Sequence, residues 1–266
     1  MIRIYAQAYD VAKDLAAEWE DGAALSWRRA RFAVADGAAA AVAARSWAAD
    51  LTSGYLTDFP EAPWADGDIP AYEGDVRQWF ADRARRWTAA QERIIATRGE
   101  AVPWYHRDAA ARGSAAAFLG VQLDCRGSRA VWWATAIGDC CLFQVRAGRL
   151  VTSFPLSSAA EYGGHPDLAL TAGARLDGAL RALRHGRGAA EPGDLFVLAS
   201  DAAGEWLLTE AAHDPAVWSR LRVFGRDAFT ELIRELRVAG AIRRDDVVLV
   251  LLRVANGDGP DAAGPS

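Results

Sequence analysis

The chain has 266 residues, 52% apolar and 24% charged, with 35 acids against 30 bases and a net charge of −5. This composition excludes a disordered chain and a globally basic nucleic-acid binder. No apolar run reaches the ~20 residues of a membrane span, and Met1-Ile2-Arg3-Ile4-Tyr5-Ala6 lacks the basic segment and long apolar core of a secretion leader, so a cytoplasmic protein with no membrane partner is expected.

Alternation of apolar and polar residues predicts a first strand over 3–9. A basic turn, Arg28-Arg29-Ala30-Arg31, leads into a strand over 31–35. After Gly37 an alanine-rich run predicts a helix over 38–51, because alanine is the best helix former. Starting beside Asp36, its N–H groups would favour negative charge there. Residues 58–75 are rich in Pro, Gly and Asp and read as a loop. Apolar residues at Val76, Trp79, Phe80, Ala84, Trp87, Ile94 and Ile95 predict a helix over 75–97, and a second is expected over 105–111. From 115 the pattern turns to β, with strands over 115–123, 130–137, 140–146 and 149–154, the last two joined by a hairpin turn. Residues 155–190 read as loop with a helix over 174–183. A strand over 195–199 follows, then helices over 202–208, 215–222 and 226–239, and a last strand over 247–254. Residues 1–255 are read as one α+β domain and 256–266 as a disordered tail.

Three cysteines, Cys125, Cys140 and Cys141, form neither a disulfide framework nor a CxxC pair, and the four histidines lack zinc spacing. The carboxylates are more informative. Phe32-Ala33-Val34-Ala35 runs into Asp36, 130–137 runs into Gly138-Asp139, and 195–200 runs into Asp201. Asp245-Asp246 opens the final strand. A lone aspartate after a strand is ordinarily a turn residue or helix cap. Several converging would repel, by roughly 4 kcal/mol per pair at ~4 Å and an effective dielectric of 20. A hard divalent cation removes that penalty, so the set points to an oxygen-ligand site of the Mg²⁺ or Mn²⁺ type. Tryptophan is frequent, with 11 residues, and Trp79, Trp87, Trp132 and Trp133 lie on helical and strand apolar faces and read as core. Adjacent Trp132 and Trp133 must point to opposite faces of their strand, one towards another sheet and one towards helices.

In this order the motifs resemble the metal-dependent serine/threonine phosphatases of the protein phosphatase 2C class, in particular the compact bacterial branch. They are Glu20-Asp21, Ala35-Asp36-Gly37, Gly113-Ser114, Gly138-Asp139-Cys140, Ser200-Asp201-Ala202 and Asp245-Asp246-Val247, and they span the chain from Glu20 to Val254. The resemblance implies a four-layer α-β-β-α sandwich of two antiparallel sheets flanked by helices, with two Mg²⁺ or Mn²⁺ ions at one edge and a third in some members. It implies Asp36 as bridging ligand, Gly37 as carbonyl ligand, Asp201 and Asp245 on the first metal, Glu20 and Asp21 on metal waters, and Asp139 with Asp201 on the third ion. Asp36, Asp201 and Asp245 would then carry catalysis through a two-metal-activated water. The implied partners are a phosphoserine or phosphothreonine protein substrate and a cognate Ser/Thr kinase of bacterial signalling.

The chain departs from that pattern. Ala38 stands where larger relatives have a histidine acid, Ala16 where they have a phosphate-gripping arginine, Ala115 where a threonine supports a metal water, Ala202 for glycine and Asp246 for asparagine. Lys13, Arg28 or Arg29 could supply the phosphate grip, or be plain solvated charges. The departures leave a second reading open, a catalytically weak or inactive pseudophosphatase acting as a regulatory module. Hydrolysis of a small phosphoester is a third. The segment 58–112 is read as a lid or docking surface.

Overall fold

The computed structural model describes all residues except 1, 14–18, 39–40, 42, 65–66, 99–111, 126–129, 224 and 257–266. Ala16, the expected helix over 105–111 and nearly all of the expected tail lie outside the described residues.

Two antiparallel sheets stack face to face. The first has the order β1 (Ile2–Val11), β11 (Val247–Asn256), β10 (Leu195–Ala199), β6 (Cys141–Arg146) and β7 (Arg149–Phe154). The second has the order β2 (Gly22–Ser26), β3 (Arg31–Gly37), β4 (Ala115–Asp124), β5 (Ala130–Ile137) and β9 (Arg184–Ala190), with the short β8 (Ala169–Leu170) on β4. The two-residue period of a strand sorts the side chains. In β11, Val248, Val250 and Leu252 point between the sheets, while Val247, Leu249 and Leu251 point outward to helices. Trp132 lies in the core between the sheets and Trp133 in the core under the helices, as their adjacency requires.

Helices close both outer faces. α4 (Asp201–His213), α5 (Val217–Arg220) and α6 (Arg226–Val238) cover the first sheet through Trp206, Trp218, Phe229 and Ile233. α1 (Ala44–Thr57), α2 (Ile69–Arg98) and α3 (Gly173–Ala179) cover the second through Trp47, Leu51, Phe80 and Leu176. Three apolar layers thus separate four structural ones, the expected α-β-β-α sandwich.

Several elements differ from expectation, β2 and the short β8 among them, since neither was read as a strand. α1 starts at Ala44, because the Ala38 N–H is drawn into pairing with the Ala115 carbonyl at the end of β4. The start of α1 still packs beside the Asp-Gly motif, since a Cβ on Gly37 would lie 2.9 Å from the Ala44 Cβ. α2 begins at Ile69, six residues early, where Asp68 Oδ1 accepts the Ala71 N–H and Pro70 occupies the first turn. β9, expected as loop, pairs with β5 from Arg184↔Ala136 to Ala190↔Ala130.

Candidate metal centre

The aspartates meet at one end of the sandwich. On β3, Phe32 and Val34 face the core between the sheets, and Asp36 continues that face one step beyond it. Asp36 pairs with Ala117 of β4, while β4 pairs with β5 up to Phe118↔Ile137, so the turn carrying Gly138 and Asp139 emerges beside it. Gly138 has φ +97°, and a Cβ there would lie 2.6 Å from the Ala117 Cβ, so only glycine makes this turn without strain. Asp201 follows β10 as the first residue of α4. Because β10 and β11 are antiparallel with Ala199 opposite Leu249, Asp245 and Asp246 precede β11 at the same end. Gly37 is packed so tightly that an added Cβ would lie 2.6 Å from the Glu20 carbonyl oxygen, which brings the Asp-Gly and Glu-Asp motifs together.

These carboxyls are in electrostatic conflict. Asp21 is 4% exposed, and its Oδ2 has no hydrogen-bond partner among the described residues. Burial, then the charges of Asp246 and Asp201, push its pKa well above the usual carboxylate range, an effect only partly offset by hydrogen bonds with Ser200 and Asp36. Burial, then the charges of Asp21 and Asp201, raise Asp36 in the same direction. Asp139 is pushed up to about 6 by burial and then by Asp201. Like charges gathered with too little water to screen them either bind protons or recruit a cation.

The chain supplies two cations of its own at the flanks. Lys13 Nζ lies 2.6 Å from Glu20 Oε2 and 3.7 Å from Asp245 Oδ1. Arg243 donates from Nη2 to Asp201 Oδ2 at 2.7 Å and from Nε to Glu205 Oε2 at 2.6 Å. Arg237 ties the carbonyls of Val11, Ala12 and Asp245 together, which fixes the approach to β11.

Asp246 organises the loop that carries the Glu-Asp pair. It is 2% exposed; its Oδ1 accepts the Lys13 N–H and its Oδ2 the Glu20 N–H, both at 2.7 Å. The two backbone donors approach different oxygens of the carboxylate. Asparagine has one oxygen, so the acid suits this loop.

The structure therefore gathers Asp21, Asp36, Asp139 and Asp201, and joins Glu20 to Asp245 through Lys13. It does not bring Arg28 and Arg29 to them. Both are exposed in the β2–β3 turn, and Arg29 donates to the Thr57 carbonyl at the end of α1. Five residue steps of strand, roughly 17 Å, separate Arg31 from Asp36. Arg243 and Glu205 were not anticipated. Beside Asp139 a cleft of about 200 Å³, lined by Glu161, His165, Asp167 and Arg184, opens from the rim.

Among the described residues, no three Asp, Glu, His or Cys side chains stand as a finished metal cage. The donor chemistry nonetheless fits a hard divalent ion: the acids offer oxygen only, one buried oxygen is orphaned, and repulsion between them is relieved by positive charge. Asp21, Asp36 and Asp201, which interact with one another, could serve as inner donors to such an ion, with Asp139 beside them.

No known family profile matches the sequence, and no curated protein matches it either. Solved structures match over nearly the whole chain. PppA, described as a key regulatory component of T6SS in Pseudomonas aeruginosa, aligns with TM-score 0.57 at 20% identity, covering 95% of this chain and 98% of that one. The catalytic domain of the serine/threonine protein phosphatase PstP, solved with two manganese ions, aligns with TM-score 0.59 at 18% identity over 96% and 100%. The Mycobacterium tuberculosis phosphatase PstP/Ppp aligns with TM-score 0.60 at 17% identity over 96% and 100%. The chain has the fold of the protein phosphatase 2C class.

Proposed function

We propose that this chain is a metal-dependent phosphatase that hydrolyses phosphoserine and phosphothreonine esters. The observation that carries the reading is the rim of Asp21, Asp36, Asp139 and Asp201, whose crowded like charges Arg243 compensates only in part. Mg²⁺ or Mn²⁺, two ions with a third at Asp139, would supply an activated water and neutralise charge on a phosphoryl group. Asp36 would bridge, Gly37 would offer its carbonyl, Asp201 and Asp245 would hold the first ion, and Glu20 and Asp21 would orient water. The rigid ends of β3, β10 and β11 set these donors before substrate arrives, which is the condition for positioning catalysis.

No histidine follows Asp36-Gly37, and Ala38 spends its N–H on the Ala115 carbonyl. Leaving-group protonation by the chain is therefore weak, and esters with good leaving groups should turn over fastest. The natural substrate would be a phosphoprotein, the counterpart of a Ser/Thr kinase in the cytoplasm, with residues 1–255 as the working domain. No helix among the described residues is long and apolar enough to cross a membrane.

One observation favours the second reading, a pseudophosphatase. Lys13 and Arg243 already hold Glu20, Asp245 and Asp201, so internal cations compete with metal. The test is hydrolysis of p-nitrophenyl phosphate with Mn²⁺ and with excess chelator. Turnover that needs Mn²⁺ supports the enzyme; none at millimolar Mn²⁺, with the metal bound, supports the binding module.

A further inference from the structure

We infer that Arg243 is a phosphate-binding residue of this site, parked on Asp201 and Glu205 until a divalent ion takes up the aspartate. The inference rests on the phosphatase reading and extends it to a residue that no sequence motif marked.

A site lined by acids repels a phosphate dianion, so the chain needs a cationic donor that can face it. Among the described residues, the rim offers few, and Arg184, in the cleft beside Asp139, acts on Glu161. Lys13 is 18% exposed and pinned between Glu20 and Asp245. Arg237 is turned inward onto three carbonyls. Arg28 and Arg29 lie at the opposite end of β3. Arg243 differs on each count. Its side chain is 43% exposed, and its guanidinium contacts Asp201, an inner donor. It is also close enough to Asp139 to act on that carboxyl's charge. Nε and Nη2 are engaged by Glu205 and Asp201, while Nη1 has no partner among the described residues. With the Asp201 contact released, Nη1 and Nη2 together would form the fork that grips tetrahedral oxyanions bidentately.

The position is also held from below. Arg243 lies two residues before Asp245, whose carbonyl is fixed by Arg237, and three before buried Asp246. The loop is anchored at its root while the side chain stays in solvent. Positive charge brought to Asp201 by a divalent ion weakens the Arg243–Asp201 attraction and frees a second charged N–H for an anion. Metal and phosphate therefore bind cooperatively through one arginine.

The test uses the full chain, Mn²⁺ and inorganic phosphate. Calorimetry measures phosphate binding to Mn²⁺-loaded protein and, separately, Mn²⁺ binding; hydrolysis of p-nitrophenyl phosphate supplies KM and kcat. Arg243→Gln should weaken phosphate about tenfold or more, equivalent to about 1.4 kcal/mol, and raise KM more than it lowers kcat. Mn²⁺ should bind Arg243→Gln as tightly as wild type or tighter. Arg243→Lys should recover part of the phosphate affinity, and Arg28→Gln should change nothing. Unchanged phosphate affinity in Arg243→Gln would overturn the inference. So would a loss of Mn²⁺ affinity as large as the loss of phosphate affinity, which would make Arg243 a scaffold for Asp201. A wild type that binds both but does not hydrolyse the ester counts against the enzymatic reading alone.

Discussion

The two ends of β10 carry two aspartates in opposite circumstances. Asp194, before the strand, is 1% exposed and fully partnered: Arg146 donates from Nε and Nη2 at 2.8 and 2.9 Å, Gln144 from Nε2 at 2.8 Å, and the Glu191 N–H at 3.0 Å. Burial would raise its pKa, but the hydrogen bonds from Arg146, Glu191 and Gln144 outweigh it and hold the carboxyl below its usual range. Asp201, after the strand, faces Asp21, Asp36 and Asp139, and its main relief is one half-exposed arginine. The same residue type serves stability at one end and stores repulsion at the other. The fold satisfies a buried acid with Arg146 and Gln144 at one end, yet at the opposite rim it leaves Asp21 Oδ2 without a partner and crowds Asp21, Asp36 and Asp139 against like charge.

The contrast predicts opposite mutational signs. Asp194→Ala should cost about 3 kcal/mol of unfolding free energy, since it takes the shared acceptor from Arg146, Gln144 and the Glu191 N–H. Denaturant melts should show this, with Mn²⁺ binding nearly unchanged. At the other end, Asp36→Asn should stabilise the metal-free protein by roughly 1–2 kcal/mol at neutral pH, because it removes a repelled charge. The pH dependence follows the same sign. Asp21, Asp36 and Asp139 have raised folded pKa values, so the folded state binds more protons than the unfolded one. Their contribution is favourable below about 4, the unfolded value, and is lost as pH rises through the folded values, about 6 for Asp139. Metal-free protein should melt lower at pH 7 than at pH 5, and Asp36→Asn should flatten that slope. A steeper slope in the variant would break the comparison. The smallest effect belongs to Asp246→Asn, which leaves one of two N–H donors without an acceptor, for a cost of about 1 kcal/mol and weaker Mn²⁺ binding.

Much of this was legible in the residues, and the exceptions have physical causes. Strands β5 and β7 match their patterns end to end because a strand packed on an apolar layer writes its period into the sequence. The aspartates were visible as the residues that interrupt such runs. β9 was not, because Arg184-His185-Gly186-Arg187-Gly188 has two glycines and three basic residues; it is a strand by virtue of its ladder with β5, a long-range fact. The early start of α2 was readable in Asp68-Ile69-Pro70, a cap followed by a first-turn proline, inside a stretch whose composition suggested loop. Arg28 and Arg29 were attractive because they are close to Asp36 in sequence; an intervening strand carries them away. Arg243 was invisible for the converse reason, since 42 residues separate it from Asp201.

The central claim is that the four rim aspartates form a cation site. Titration calorimetry of Mn²⁺ into wild type and Asp36→Asn, both folded by circular dichroism, tests it most directly. Saturable binding by wild type in the millimolar range or tighter, abolished in Asp36→Asn, is the predicted result. Absence of binding by wild type, or equal binding by both proteins, would contradict it.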